Sequence, residues 1–199
     1  MSEAGRHHRP VARTADFFDG YASGTDPERM REAADRAATL LVRGARESSD
    51  SAVADRLVHL ADTEGIEAIA EVWSGSAPDS LAGCLWRLYL LRSWVYADPS
   101  GVVREFEAGR GAAEVARVVA GVADPPGPDE LRSMIDDVLR GIAGGDFADV
   151  LFRAAAFARV VATGRAALPG SADDGVRRML ALAEQLEAAA HVELERGLG

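Results

Sequence analysis

LAGCLWRLYLLRSWVYA, residues 81–97, is the stretch whose reading decides the fold. As a helix its apolar side chains cover nearly the whole circumference, interrupted by Arg87, Arg92 and Ser93. A helix apolar all round is predicted to be buried. It is also too short, and too broken by arginine, to cross a bilayer. The expectation is a soluble all-α protein: a single helical-bundle domain built around this central helix, with Leu85, Leu88 and Leu91 in its core.

The segments on either side carry helix punctuation. Asp79 or Ser80 is placed to cap the central helix, and Asp98-Pro99 opens another that carries Val102, Val103 and Phe106 towards Gly109. Upstream, Thr25-Asp26-Pro27-Glu28 starts a helix with the stripe Met30, Ala34, Ala37, Leu41 and Ala45, and further helices are expected over 51–65 and 66–73. Downstream, 112–122 reads as a packed connector, and prolines at 125, 126 and 128 mark a subdomain break at 123–128. Three more helices follow. One starts at Asp129-Glu130, one runs from Phe147 to Gly164 behind Asp146, and the last covers 173–196 with the stripe Val176, Met179, Leu180, Ala183, Leu186, Ala190 and Leu194. That makes about eight or nine helices over residues 25–199, preceded at 1–24 by a mobile arm in which Phe17, Phe18 and Tyr21 are an anchor or a contact.

Composition narrows the function classes. The chain has 199 residues, of which 48% are apolar, enough for one substantial core. All 22 basic residues are arginine, so neither a lysine Schiff base nor a phosphate-loop lysine is available. A net charge of −10 with interleaved arginines argues against a general nucleic-acid surface. The single cysteine, Cys84, rules out an intrachain disulfide and a cysteine-built zinc site, and its apolar neighbours predict an inert thiol. With no signal segment or membrane span recognised, the cytoplasm is the expected location.

An internal echo adds a second expectation. Glu71 to Val95 laid without gaps on Asp137 to Val161, an offset of 66, gives seven identities, among them Gly75 with Gly141, Leu85 with Leu151 and Arg87 with Arg153. Trp86 falls on Phe152, and Glu71 on Asp137. Two pseudo-repeated helical hairpins would place Arg87 and Arg153 at equivalent buried positions, where a charge needs a partner. Glu71 and Asp137 are the natural ion-pair candidates. The alternative is a cavity lined by Trp86, Arg87, Phe152 and Arg153 that holds a ligand carboxylate or phosphate.

No nucleophile motif, phosphate loop or catalytic constellation is present, and no cofactor is implied. Gly109-Arg110-Gly111 lacks a preceding strand and the spacing of a dinucleotide fingerprint. Glu187, His191 and Glu195 share a helix face, yet a metal site in a bundle needs facing ligands that the sequence does not supply. His7 and His8, and the pair His59 and Asp62, read as solvated. Arg92, Trp94 and Tyr96, beside the turn at 98–101, form a candidate interaction patch, since aromatics and arginine are enriched in interfaces.

The segment LWRLYLLRSWVYADPSGVVREFEAGR at 85–110, followed by VVAGVADPPGPDELRSMIDDVLRGIAGGDFADVLFRAAAFARVVATGR at 118–165, resembles a family of small, uncharacterised actinobacterial helical proteins. Some members carry the automatic label "DNA-directed RNA polymerase subunit beta". The likeness covers roughly 33–165 and carries no residue roles with it. It implies an actinobacterial source and admits a transcription-associated factor. From the residues themselves, the leading expectation is a non-enzymatic interaction or adaptor protein that binds a protein partner or its own copy. A regulatory protein that binds a small molecule is the alternative, with neither nucleic acid nor membrane as a direct partner.

Overall fold

The structure, a computed structural model, describes residues 27–43, 70, 73–112, 125–139, 146–170 and 172–198. Among them it is all helical, with six helices: α1 Pro27–Arg43, α2 Leu81–Ala97, α3 Pro99–Ala112, α4 Pro128–Leu139, α5 Phe147–Ala167 and α6 Asp173–Arg196. That is fewer than the eight or nine expected. The difference falls on 51–65, 66–73 and 112–122, of which only Ala70, Trp73 and Ala112 are described; Ala70 is helical, as expected, and Trp73 lies in a turn. The arm at 1–24, the Asp26 cap, His59, Asp62 and Glu71 also lie outside the described residues.

The helix starts follow the local chemistry. Ser80 is the N-cap of α2, its Oγ accepting from the Gly83 amide at 3.1 Å. Asp98 does the same for α3, with Pro99 at the first helical position and the Gly101 amide 2.9 Å from Oδ1. Asp146 caps α5 through the Ala148 amide at 2.9 Å. Each cap satisfies one of the amides that a helix start leaves without a partner.

The helix ends depart from the glycine signals. α3 runs past Gly109 to Ala112, and α5 runs past Gly164 to Ala167. These two glycines sit where the helices cross. A Cβ on Gly109 would lie 1.9 Å from the Val160 carbonyl oxygen, and one on Gly164 would lie 1.7 Å from the Glu105 carbonyl oxygen. Both are needed for close approach rather than for stopping a helix. The contact lets Phe106 of α3 stack on Phe157 of α5 with ring centroids 5.3 Å apart.

α2 buries Leu81, Ala82, Gly83, Cys84, Leu85, Leu88, Leu91 and Val95 against α1, α3, α4 and α6. The other side of α2 is only partly covered: Trp86, Tyr89 and Trp94 are half-buried against the edge of the core, and Leu90 is 42% exposed. The expectation of a helix buried all round therefore holds fully for one face of α2 and partly for the other, where Leu90 is the exposed position between Leu81 and Val95. α5 fits that description better, with buried residues on all sides from Phe147 to Gly164 and with α3, α4 and α6 around it. On α6, Met179, Ala183, Leu186 and Ala190 bury as expected, whereas Leu180 and Leu194 are exposed. Trp73 is fully buried and its indole N–H donates to the Ala34 carbonyl at 3.1 Å, tying the turn at 73–76 to α1 beside the buried Ala37 and Ala38.

Candidate functional site

Arg92, Trp94 and Tyr96 do not form one patch. Residues two apart on a helix project about 200° from each other. Arg92 and Tyr96 accordingly face α4, where Arg92 Nε donates to Asp136 and the Tyr96 hydroxyl donates to the same carboxylate at 3.1 Å. Two guanidiniums bracket the Tyr96 ring, Arg92 at 4.5 Å and Arg132 at 4.8 Å from its centroid. This cluster joins α2 to α4. Trp94 lies on the other side, under the Arg165 guanidinium at 5.1 Å.

The arginines of the echo take different partners. Arg87 donates from Nε to Gln185 of α6 at 2.6 Å and from Nη1 to the Gly83 carbonyl at 2.8 Å. Arg153 pairs with Glu130 of α4, with Asp149 at 4.0 Å. Asp137 is exposed, so the expected Arg153 and Asp137 pair is replaced by one reaching further back along α4. Neither arginine is fully buried. Phe152 is half-buried and packs edge-on against His191 with centroids 5.0 Å apart, away from Trp86. The cavity expected between hairpins is thus not assembled from those four residues.

Two of them contribute to a different concavity. Trp86 and Arg87, with Leu90 and Trp94 of α2, line a groove of about 660 Å³ whose other wall is α6. α6 supplies Met179, Ala181 and Leu182 as apolar lining and Arg178 and Gln185 as polar lining, and Arg165 of α5 joins them near Gly175. Arg87 meets Gln185 while Trp94 and Arg165 meet Gly175, so α2 and α6 run antiparallel along the groove. Trp86 stacks on Tyr89 at 5.6 Å, which fixes the plane of the indole.

Among the described residues, the groove lining contains three arginines and no carboxylate. Arg165 is neutralised, since Nε and Nη2 donate to both oxygens of Glu105 at 2.8 to 3.1 Å and Nη1 donates to the Gly175 carbonyl at 3.2 Å. Arg165 and Gly175 also line a second cleft, of about 550 Å³, together with Arg104 and the turn at 168–170. Arg87 and Arg178 have no ion-pair partner among the described residues. Burial holds the Arg87 guanidinium below its ordinary pKa, while Cys84 and Asp79 act in the opposite direction. The groove therefore combines large apolar surface with donors suited to a carboxylate or a phosphate.

The remaining candidates are occupied in other ways. Cys84 is buried, its Sγ lies 3.6 Å from the Pro78 carbonyl, and burial pushes its thiol up to about 12. Glu187 is held by Arg159 and His191 by Phe152. Among the described residues, no three His, Cys, Asp or Glu side chains converge as a metal ion requires. No described helix is long and apolar enough to cross a membrane.

Arg165, Arg178, Leu182 and Gln185 escaped the sequence reading, and Met179 was read only as a core residue. Leu182 falls outside the core stripe predicted for α6, and Trp86, Leu90 and Trp94 recur at intervals of four, so a surplus apolar stripe on each helix was the available signal. Compared with known protein families, with curated proteins and with solved structures, the chain matches none.

Proposed function

We propose that the chain is a non-enzymatic, cytoplasmic helical bundle that acts by binding a protein partner in the groove between α2 and α6. One observation carries the reading: α2 turns Trp86, Leu90 and Trp94 towards the groove, with Leu90 exposed and the two tryptophans half-buried at the edge of the core. Leaving apolar surface wet forgoes about 25 cal/mol per Å² that a cover would regain. Tryptophan and arginine are also the residues on which interface energy concentrates.

A second reading, a small amphiphile with an anionic head, is favoured by the groove volume of about 660 Å³, which lies in the range of small-molecule sites. The two readings separate by photocrosslinking. A benzophenone amino acid at position 90 is compared in native cells with the same group at position 103, which is 48% exposed on α3. The proposal expects a discrete protein adduct from position 90 and none from position 103. Equal labelling from both positions, or no protein adduct from position 90, refutes it.

A further inference from the structure

We infer that the occupant of this groove is an acidic amphipathic helix of another protein. The inference rests on the reading of the groove as a protein-binding face and names what it binds. Trp86, Leu90 and Trp94 recur at every fourth position and cover about 12 Å of α2 at 1.5 Å per residue. Between Gly175 and Gln185, α6 provides about 15 Å of facing wall. That length accommodates two to three turns of a helix whose apolar residues repeat at i, i+4 and i+7 or i+8, the spacing read by helix-binding grooves.

Charge selects among occupants. Among the described residues Arg87 and Arg178 have no ion-pair partner, with the Asp79 carboxylate near enough to Arg87 to favour its charge, in a chain whose net charge is −10. A local cationic strip on an acidic protein favours a partner that brings its own carboxylates and disfavours basic segments. A second copy seated face to face would set the same patch against itself. Among the described residues the lining of that patch contains no acid, so its arginines would be set against arginines. Nucleic acid and anionic bilayers present charge over areas far wider than two arginines, and the rest of this acidic surface repels them.

The test is selection of a phage-displayed library of random 16-residue peptides on the full chain, followed by fluorescence anisotropy with the selected peptides made synthetically. Two surface variants serve as probes, Leu90→Ser and Arg178→Glu. Both positions are exposed, so both variants should keep the parent's circular dichroism and melting temperature. The expected result is a set of net-acidic peptides with apolar residues at i, i+4 and i+7 or i+8. Either variant should weaken them by about tenfold or more, and Arg178→Glu more strongly at low salt than at high salt. Selected peptides that lose binding in Leu90→Ser but show no acidic bias overturn the partner assignment while leaving the groove as a protein-binding face. Peptides indifferent to both variants, or no enrichment at all alongside saturable quenching of tryptophan by laurate, overturn both.

Discussion

Gly109→Ala and Gly111→Ala are the same chemical change two residues apart on α3, and the structure assigns them opposite signs. At Gly111 an added Cβ meets nothing within 4 Å, so alanine simply replaces the poorer helix former and should stabilise by about 0.5 to 1 kcal/mol. At Gly109 the Cβ would lie 1.9 Å from the Val160 carbonyl oxygen and 3.0 Å from the Gly164 amide nitrogen. Both obstacles are backbone, so no rotamer change relieves them, and α3 must lift off α5 by about an ångström or more. A gap of 0.5 to 1 Å forfeits a quarter to a half of each dispersion contact along the crossing. The crossing includes the stacked pair Phe106 and Phe157. Because both obstacles are backbone, the overpacking cost falls at the upper end of the usual range, about 3 kcal/mol, and offset by about 1 kcal/mol of helix propensity it leaves a net loss of about 2 kcal/mol. Urea unfolding followed by circular dichroism at 222 nm measures both variants against the parent. A Gly109→Ala protein as stable as Gly111→Ala would refute the crossing, and with it the packing of α3 on α5.

Cys84 in the native protein should resist iodoacetamide at pH 8, because burial lifts its thiol to about 12, and should react fully in denaturant; mass spectrometry with and without urea checks this. Glu193 is desolvated, which raises its pKa, but hydrogen bonds from Arg43 and from the Leu198 amide outweigh this and hold the carboxyl below its ordinary 4.5. A folded value lower than the unfolded one contributes stability above pH 4.5 that is lost as pH falls through the folded value. The stability difference between parent and Glu193→Gln should therefore be largest near neutrality and shrink below pH 4.5, as read from urea midpoints across that range. Asp136→Asn weakens the acceptor shared by Arg92 and Tyr96 and should cost about 1 to 2 kcal/mol, whereas Tyr96→Phe, at a 46% exposed residue, should change stability by less than about 0.5 kcal/mol in the same assay.

The elements were legible where their signals are local. Ser80, Asp98 and Asp146 cap the helices they precede, because a cap depends on three or four neighbouring residues and little else. Glycine was misleading as a stop at Gly109 and Gly164, since the same missing side chain serves a helix end and a helix crossing, and only the facing helix distinguishes them. Arg92, Trp94 and Tyr96 looked like one patch because they are close in sequence, yet the helical period turns Arg92 and Tyr96 to α4 and Trp94 to Arg165 of α5. The partners of Arg87 and Arg153 were illegible for a related reason. Gln185 and Glu130 become neighbours through tertiary packing, and a gapless sequence match carries no information about it.

α2 and α5 are both apolar around most of their circumference, yet one is enclosed and the other keeps a face open. Size, more than hydrophobicity, separates them. Around α5 the faces outside the main stripe are mostly alanine, with Ala155, Ala156, Ala158 and Ala162 all buried and Gly164 beside them, so α3, α4 and α6 can close on it from several sides. Around α2 the corresponding positions are Trp86, Tyr89, Leu90 and Trp94, whose bulk keeps neighbouring helices at a distance and leaves the groove against α6. An aromatic side chain offers about 150 to 250 Å² for burial, far more than alanine, so a partner gains most at the face that the fold itself leaves uncovered. Replacing Leu90 with alanine should consequently affect partner binding much more than folding, because Leu90 is exposed and the buried side of α2 is formed by Leu85, Leu88, Leu91 and Val95. Trp86 also packs against the core, so its replacement should lower the urea midpoint as well.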